Sequence, residues 1–215
     1  MLVFSKQRLV LLSVPKTGTT AYEAALAPHA SIVVSAPPEL KHAPLFRYNR
    51  FFRQMVERFI GGDAEIVAVM REPISWLGSW YRYRQRPSLE GQANSTRGLS
   101  FDDFVTAYCK GDPPGFAQVG SQAKFLEPQR NGTRVTHLFR YEDQLGFRGF
   151  LEERLGITIA PAQQNQSPAM QLDLSSRSEA RLRRRHAADF ALWDGITGRG
   201  IYTPQPPRPK PDAKA

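Results

Sequence analysis

The chain is poor in the residues that build disulfide scaffolds and metal centres. Its one cysteine, Cys109, cannot close an internal disulfide, and its four histidines, at positions 29, 42, 137 and 186, are not spaced as zinc ligands. No metal is therefore expected. Long apolar runs are missing as well. Leu9–Val14 is too short for a secretory h-region, and no stretch approaches the ~18 residues that would cross a bilayer as a helix. These absences exclude a disulfide-stapled module and a transmembrane helix, and they make a soluble protein of the reducing cytoplasm the expectation.

What is present points to a folded α/β protein. A chain of 215 residues suits one domain, which buries roughly 70% of the surface its unfolded form exposes. Hydrophobic residues at 41% and aromatics at 11% supply enough apolar surface to offset the entropy of ordering. The 29 Lys and Arg against 20 Asp and Glu give a net charge of +9, which favours an anionic partner such as a nucleotide, an acidic sugar, a membrane surface or a nucleic acid. The basic residues are dispersed and no nucleic-acid motif occurs, so nucleic acid is not an expected partner.

Four aliphatic runs read as strands buried on both faces: Arg8–Val14, Ser31–Ser35, Glu65–Met70 and Arg134–Phe139. Helical periodicity lies between and after them, at Thr20–Leu26, Arg47–Ile60, Pro73–Arg86, Phe101–Tyr108 and Phe147–Leu155. This alternation predicts a mainly parallel central sheet flanked by helices. A capping box of Ser176 and Glu179 predicts one last helix over Arg177–Gly195. The domain is expected to span 1–202. Residues 203–215, with five prolines in thirteen, read as an extended, disordered basic tail.

Two strand-to-helix junctions carry the chemistry. In the first, Leu9–Val14 runs into Pro15, Lys16, Thr17, Gly18, Thr19 and Thr20 as a helix begins. Unpaired N–H groups and the positive end of a helix dipole then meet at one point, Gly18 permits close approach, and Lys16 adds an ammonium, which together suit a phosphate or sulfate. The spacing is not that of a Walker A loop. In the second, Arg71-Glu-Pro73 follows a central strand, at the sheet edge where ligands bind in open α/β folds. Ser75, Ser79, Arg82 and Arg86 follow along one helical face, and Arg71 with Ser79 could hold a second phosphate. Trp76, Trp80 and Tyr83 form a neighbouring stripe that reads as packing.

Together the two motifs resemble the sulfotransferase superfamily. In that family a Pro-Lys-x-Gly-Thr/Ser-Thr loop holds a 5'-phosphosulfate, and an Arg-x-Pro segment with Ser eight residues after the Arg holds a 3'-phosphate. Here these are Pro15–Thr20 and Arg71 with Ser79, in family order and about fifty residues apart. Val135–Asp143 followed by Leu151–Gly156 is similar to the family's strand, acidic turn and helix. Two departures bear on the adenine: Ala21 stands where cytosolic members place an aromatic residue, and Gly198-Arg-Gly200 only faintly echoes their Arg-Lys-Gly segment.

The resemblance implies a P-loop-like three-layer fold. It also implies 3'-phosphoadenosine 5'-phosphosulfate as co-substrate, without a metal, and transfer of its sulfuryl group to an acceptor hydroxyl or amine. A carbohydrate is the favoured acceptor, with a lipid or small metabolite as alternatives. Lys16 would meet the charge developing on the leaving phosphate, and the backbone of Thr17–Thr20 would hold that phosphate. The general base falls in Pro37–Pro44, where His42 is favoured and Glu39 is the alternative. The arginines at 181 and 183–185 read as a solvated helix face. Competing functions are a small-molecule kinase, which would need Mg²⁺ and a Walker-type Lys, and a basic nucleic-acid-binding module.

Overall fold

The computed structural model describes residues 1–160, 170, 172–198 and 200. Five strands, β1 (Leu2–Phe4), β2 (Leu9–Leu11), β3 (Ile32–Val33), β4 (Glu65–Met70) and β5 (His137–Arg140), form one sheet in the order β3-β1-β2-β4-β5. The first strand was not anticipated. Its hairpin with β2 is antiparallel, as is its pairing with β3, whereas β2, β4 and β5 pair in parallel. The sheet is therefore mixed, because β1 runs against its two neighbours, while the other four described strands share one direction.

Strand residues alternate between two apolar layers, as the period of two requires. Leu9, Leu11, Val67, Val69 and Phe139 face α1 (Thr19–Leu26) and α8 (Gln144–Leu155), packing on Tyr22, Leu26, Phe147 and Leu151. Val10, Leu12, Ile66, Ala68 and Leu138 face the opposite way, onto Leu45, Tyr48 and Val56. These last three come from a helical segment beyond α2 (Pro38–Lys41): α3 (Leu45–Arg47), a π-turn (Tyr48–Phe52) and α4 (Arg53–Ile60). A continuous helix was expected here. The wider turn rotates successive side chains less, and it brings Tyr48 and Val56 onto one buried face.

A third apolar cluster, outside the sheet, joins α5 (Pro73–Arg84), α6 (Phe101–Tyr108), α9 (Ser176–Arg185) and α10 (Ala187–Asp194) through Leu77, Tyr81, Phe104, Leu182 and Phe190. The short α7 (Gln122–Phe125) docks on α10, where the Asp189 carboxylate accepts from Ser121 Oγ at 2.9 Å and Ala123 N at 2.9 Å. The single C-terminal helix of the sequence reading is thus two helices. They are broken at His186, whose ring stacks on Tyr108 at 4.1 Å. Its cap is Ser175, which accepts from Ser178 N, and not the Ser176–Glu179 box. The expected tail over 203–215 lies outside the described residues.

Candidate functional site

The parallel pairing of β2, β4 and β5 sends three chain segments out of the same sheet edge, and each delivers part of one site. From β2 comes the loop Ser13–Gly18. Two of its residues adopt left-handed backbone, Lys16 with φ 65° and Gly18 with φ 72°. At Gly18 a side chain would be strained by the backbone and would also bring a Cβ within 3.0 Å of the Tyr141 ring, so glycine is required twice over. Thr17 is buried and its hydroxyl donates to Val14 O at 2.8 Å, so it fixes the loop rather than facing outward. The Trp76 indole donates to Pro15 O at 2.9 Å and ties the loop to α5. Thr19 is buried, while Gly18 and Thr20 are exposed.

Helix α1 starts at Gly18 with no side-chain cap and no acidic residue in its first turn. Side chains cap α5 (Glu72), α6 (Ser100), α8 (Asp143) and α9 (Ser175), whereas α4, which continues the π-turn, and α10, which follows the break at His186, share the uncapped start of α1. Among the described residues no side chain caps the first N–H groups of α1, so they and the helix dipole are of the kind that suits an anion.

From β4 comes Arg71. Its main chain is clamped by the buried side chain of Gln122, which accepts from Arg71 N at 3.0 Å and donates to Arg71 O at 2.8 Å. Its guanidinium lies over the Tyr141 ring at 4.4 Å and its Nε donates to Ser75 Oγ at 2.9 Å. The serine that the structure joins to Arg71 is thus Ser75, one helical turn before Ser79. Ser79 itself is buried in α5. From β5 comes Tyr141, whose N–H donates to Met70 O at 2.7 Å and whose ring spans Gly18 and Arg71.

Cations dominate the electrostatics of the site, although the Glu142 and Glu72 carboxylates act on Arg71 from nearby. The Lys16 ammonium sits 4.2 Å from the Tyr83 ring centre and 5.8 Å from that of Trp80. Burial, then the charges of Arg86, Arg71 and Arg82, pull its pKa down to about 8. Among the described residues none of these four cations pairs with a carboxylate within 4 Å, and Arg82 Nε and Trp80 Nε1 are buried donors with no partner. Four cations and two orphan donors beside an uncapped helix start make a site that would be relieved by a multiply charged anion.

Of the sequence-predicted residues, the structure brings together Pro15, Lys16, Thr17, Gly18, Thr19, Thr20 and Arg71. Arg82 and Arg86, read as one polar face, join Lys16. Trp80 packs on the third apolar cluster, as its stripe predicts, and both it and Tyr83 also lie beside the ammonium. Tyr141 and Gln122 arrive from distant segments, and no local pattern marks them.

His42 returns to the loop, with Nδ1 2.7 Å from Ser13 O. A carbonyl only accepts, so Nδ1 carries the proton and Nε2 keeps its lone pair. Burial holds the His42 pKa below the usual 6.5, so the ring is neutral at pH 7. Lys41 anchors this segment to α1 through Glu23 at 3.0 Å. Glu39 stays exposed on α2.

A cavity of about 220 Å³ lies on the other side of Pro15, lined by Val14, Pro15, Pro44, Phe46, Trp76 and Phe125 among others. A larger one, about 970 Å³, runs between α7, α9 and α10 and includes no residue of the loop. Size does not select the chemical site here; the smaller cavity alone adjoins the loop. Among the described residues no group of three His, Cys, Asp or Glu could hold a metal, and no helix is long and apolar enough to cross a membrane. The chain matches no protein-family model, and a search of curated proteins finds no match to it.

Proposed function

We propose that the chain is a sulfotransferase using 3'-phosphoadenosine 5'-phosphosulfate. The observation that carries the reading is the convergence of Lys16, Arg71, Arg82 and Arg86, none in an ion pair within 4 Å among the described residues, beside the uncapped start of α1. A nucleotide bearing phosphates at both 3' and 5' positions is an anion that would answer both junctions: the loop backbone and Lys16 for the 5' side, Arg71 with the first turns of α5 for the 3' side. On this reading the sheet is the centre of a P-loop-like three-layer fold, and the buried, unpaired Cys109 suits a cytoplasmic setting.

In the transfer, the acceptor oxygen or nitrogen bonds to sulfur as the bond from sulfur to the 5'-phosphate oxygen breaks. The electron pair leaves on that oxygen to give adenosine 3',5'-bisphosphate, and the acceptor proton passes to His42 Nε2. Lys16 meets the charge that grows on the leaving oxygen. The acceptor enters from the 220 Å³ cavity, whose largely apolar lining favours a molecule with an apolar part over a carbohydrate offering only hydroxyls.

Calorimetric titration of the full chain with adenosine 3',5'-bisphosphate tests the proposal. Saturable binding without added metal, weakened by both Lys16→Met and Arg71→Ala and not reproduced by ATP, is expected. Absence of binding by folded wild type overturns the reading, and preference for ATP with Mg²⁺ replaces it with a kinase. For a transferring enzyme, the acid limb of kcat/KM should fall below the ordinary histidine value near 6.5 and disappear in His42→Ala.

A further inference from the structure

Eight large hydrophobic residues are exposed among the described residues, and four of them, Phe46, Phe51, Met55 and Phe59, lie in the single helical segment of α3, the π-turn and α4. The inner side of this segment is fully used, since Leu45, Tyr48 and Val56 are buried against the sheet. The outer side is not. Phe51, Met55 and Phe59 are spaced four residues apart and form one stripe, with Phe59 81% exposed at its far end.

Charge runs beside the stripe. Arg50 and Arg58 are exposed and Arg47 is half-exposed. Arg47 lies 5.7 Å from the Phe46 ring and Arg50 lies 5.3 Å from the Phe51 ring. The segment's single carboxylate, Glu57, is occupied by Arg53 at 2.8 Å. The face is thus apolar and cationic with no free negative charge. A second copy of the chain would set arginines against arginines, whereas a surface of anionic headgroups over acyl chains complements both features. At the start of the segment, Phe46 and Pro44 also line the 220 Å³ cavity, so the segment that carries the stripe also forms part of that cavity.

We propose that this face docks on an anionic membrane surface, with Phe51, Met55 and Phe59 inserted at the interface and Arg47, Arg50 and Arg58 among the headgroups. The helix lies along the surface and does not span it. The proposal does not depend on the chemistry at Lys16.

The test is flotation of the full chain with vesicles of phosphatidylcholine alone and with ~30% phosphatidylglycerol, at low and high salt. Binding to the anionic vesicles is expected, with at least a ~10-fold loss in Phe51→Ser/Phe59→Ser and a similar loss in Arg50→Glu/Arg58→Glu. All four positions are exposed, so circular dichroism and Tm should match wild type, and a mismatch is resolved by repeating the test with the single Phe59→Ser. No binding by folded wild type, equal binding to neutral vesicles, or binding that survives both double substitutions overturns the proposal. A concentration-dependent dimer in ultracentrifugation that Phe51→Ser/Phe59→Ser abolishes would assign the face to a second copy and overturn it as well.

Discussion

Two strand-to-helix junctions open on the same edge of the sheet, and they are built in opposite ways. After β2, the chain leaves its helix start uncapped and offers backbone, with only Lys16 supplying full charge. After β4, the helix start is already occupied, because the Glu72 carboxylate accepts from Ser75 N at 2.6 Å. What remains at this second junction is side chain: Arg71, held by Gln122 and Tyr141, and then Arg82. Identical topology therefore yields one junction that offers amides and a dipole and another that offers guanidinium groups. The first depends on conformation and the second on charge.

The sharpest way to break this contrast is Lys16→Met. It should lower transfer by ~1,000-fold, the scale of losing a transition-state charge partner. It should also raise Tm at neutral pH, because the buried ammonium, held at about 8 by burial and three arginines, is a liability to the folded state. The sign follows from linkage: the folded pKa lies below the unfolded 10.5, so the penalty is complete below about 8 and is relieved as pH rises toward 10.5. Anion binding opposes this shift. Calorimetry near pH 8 in buffers of different ionisation enthalpy should therefore detect proton uptake in wild type and none in Lys16→Met.

Arg71→Ala should weaken adenosine 3',5'-bisphosphate ~10–100-fold while scarcely changing adenosine 5'-phosphate, since a charged hydrogen bond contributes about 1.5–3 kcal/mol. Equal losses for both ligands would merge the two junctions into one site. Gly18→Ala should do the reverse and weaken the 5'-phosphate ligand. It should also cost about 1–2 kcal/mol of stability by denaturant titration, because Ala resists φ 72° and meets Tyr141. The smallest effect belongs to Glu72→Gln, which keeps a capping oxygen but removes its charge. Stability should fall by about 0.5 kcal/mol, while the bisphosphate, freed of a nearby negative charge, should bind slightly tighter. Tight binding that instead needs Glu72 would contradict the side-chain account of the second junction.

Much of this was legible because it is local. The apolar strands at β2 and β4, the Pro-Lys-Thr-Gly-Thr-Thr loop and the Arg-Glu-Pro helix start each declare themselves within a few residues, through hydrophobic runs, glycine freedom and proline at a first helical turn. The errors arose where distant contacts decided. The hairpin strand β1 is only three residues long and acquires its identity from pairing on both sides. Helix 177–195 breaks because His186 stacks on Tyr108 and Asp189 caps the start of α7. The bond from Arg71 to Ser75 also goes unmarked in the sequence, since it depends on how the guanidinium folds back onto α5.

The sequence by itself determined an α/β chain with two glycine- or proline-marked junctions and a cationic excess, since periodicity, turn chemistry and charge are properties of short windows and of composition. Only the tertiary structure decided that Arg82, Arg86 and Tyr83 surround Lys16, that Tyr141 spans Gly18 and Arg71, that His42 is fixed through Nδ1, and that the outer face of α4 lies bare. Each depends on how segments many residues apart come together in space, and no local energy term records that distance.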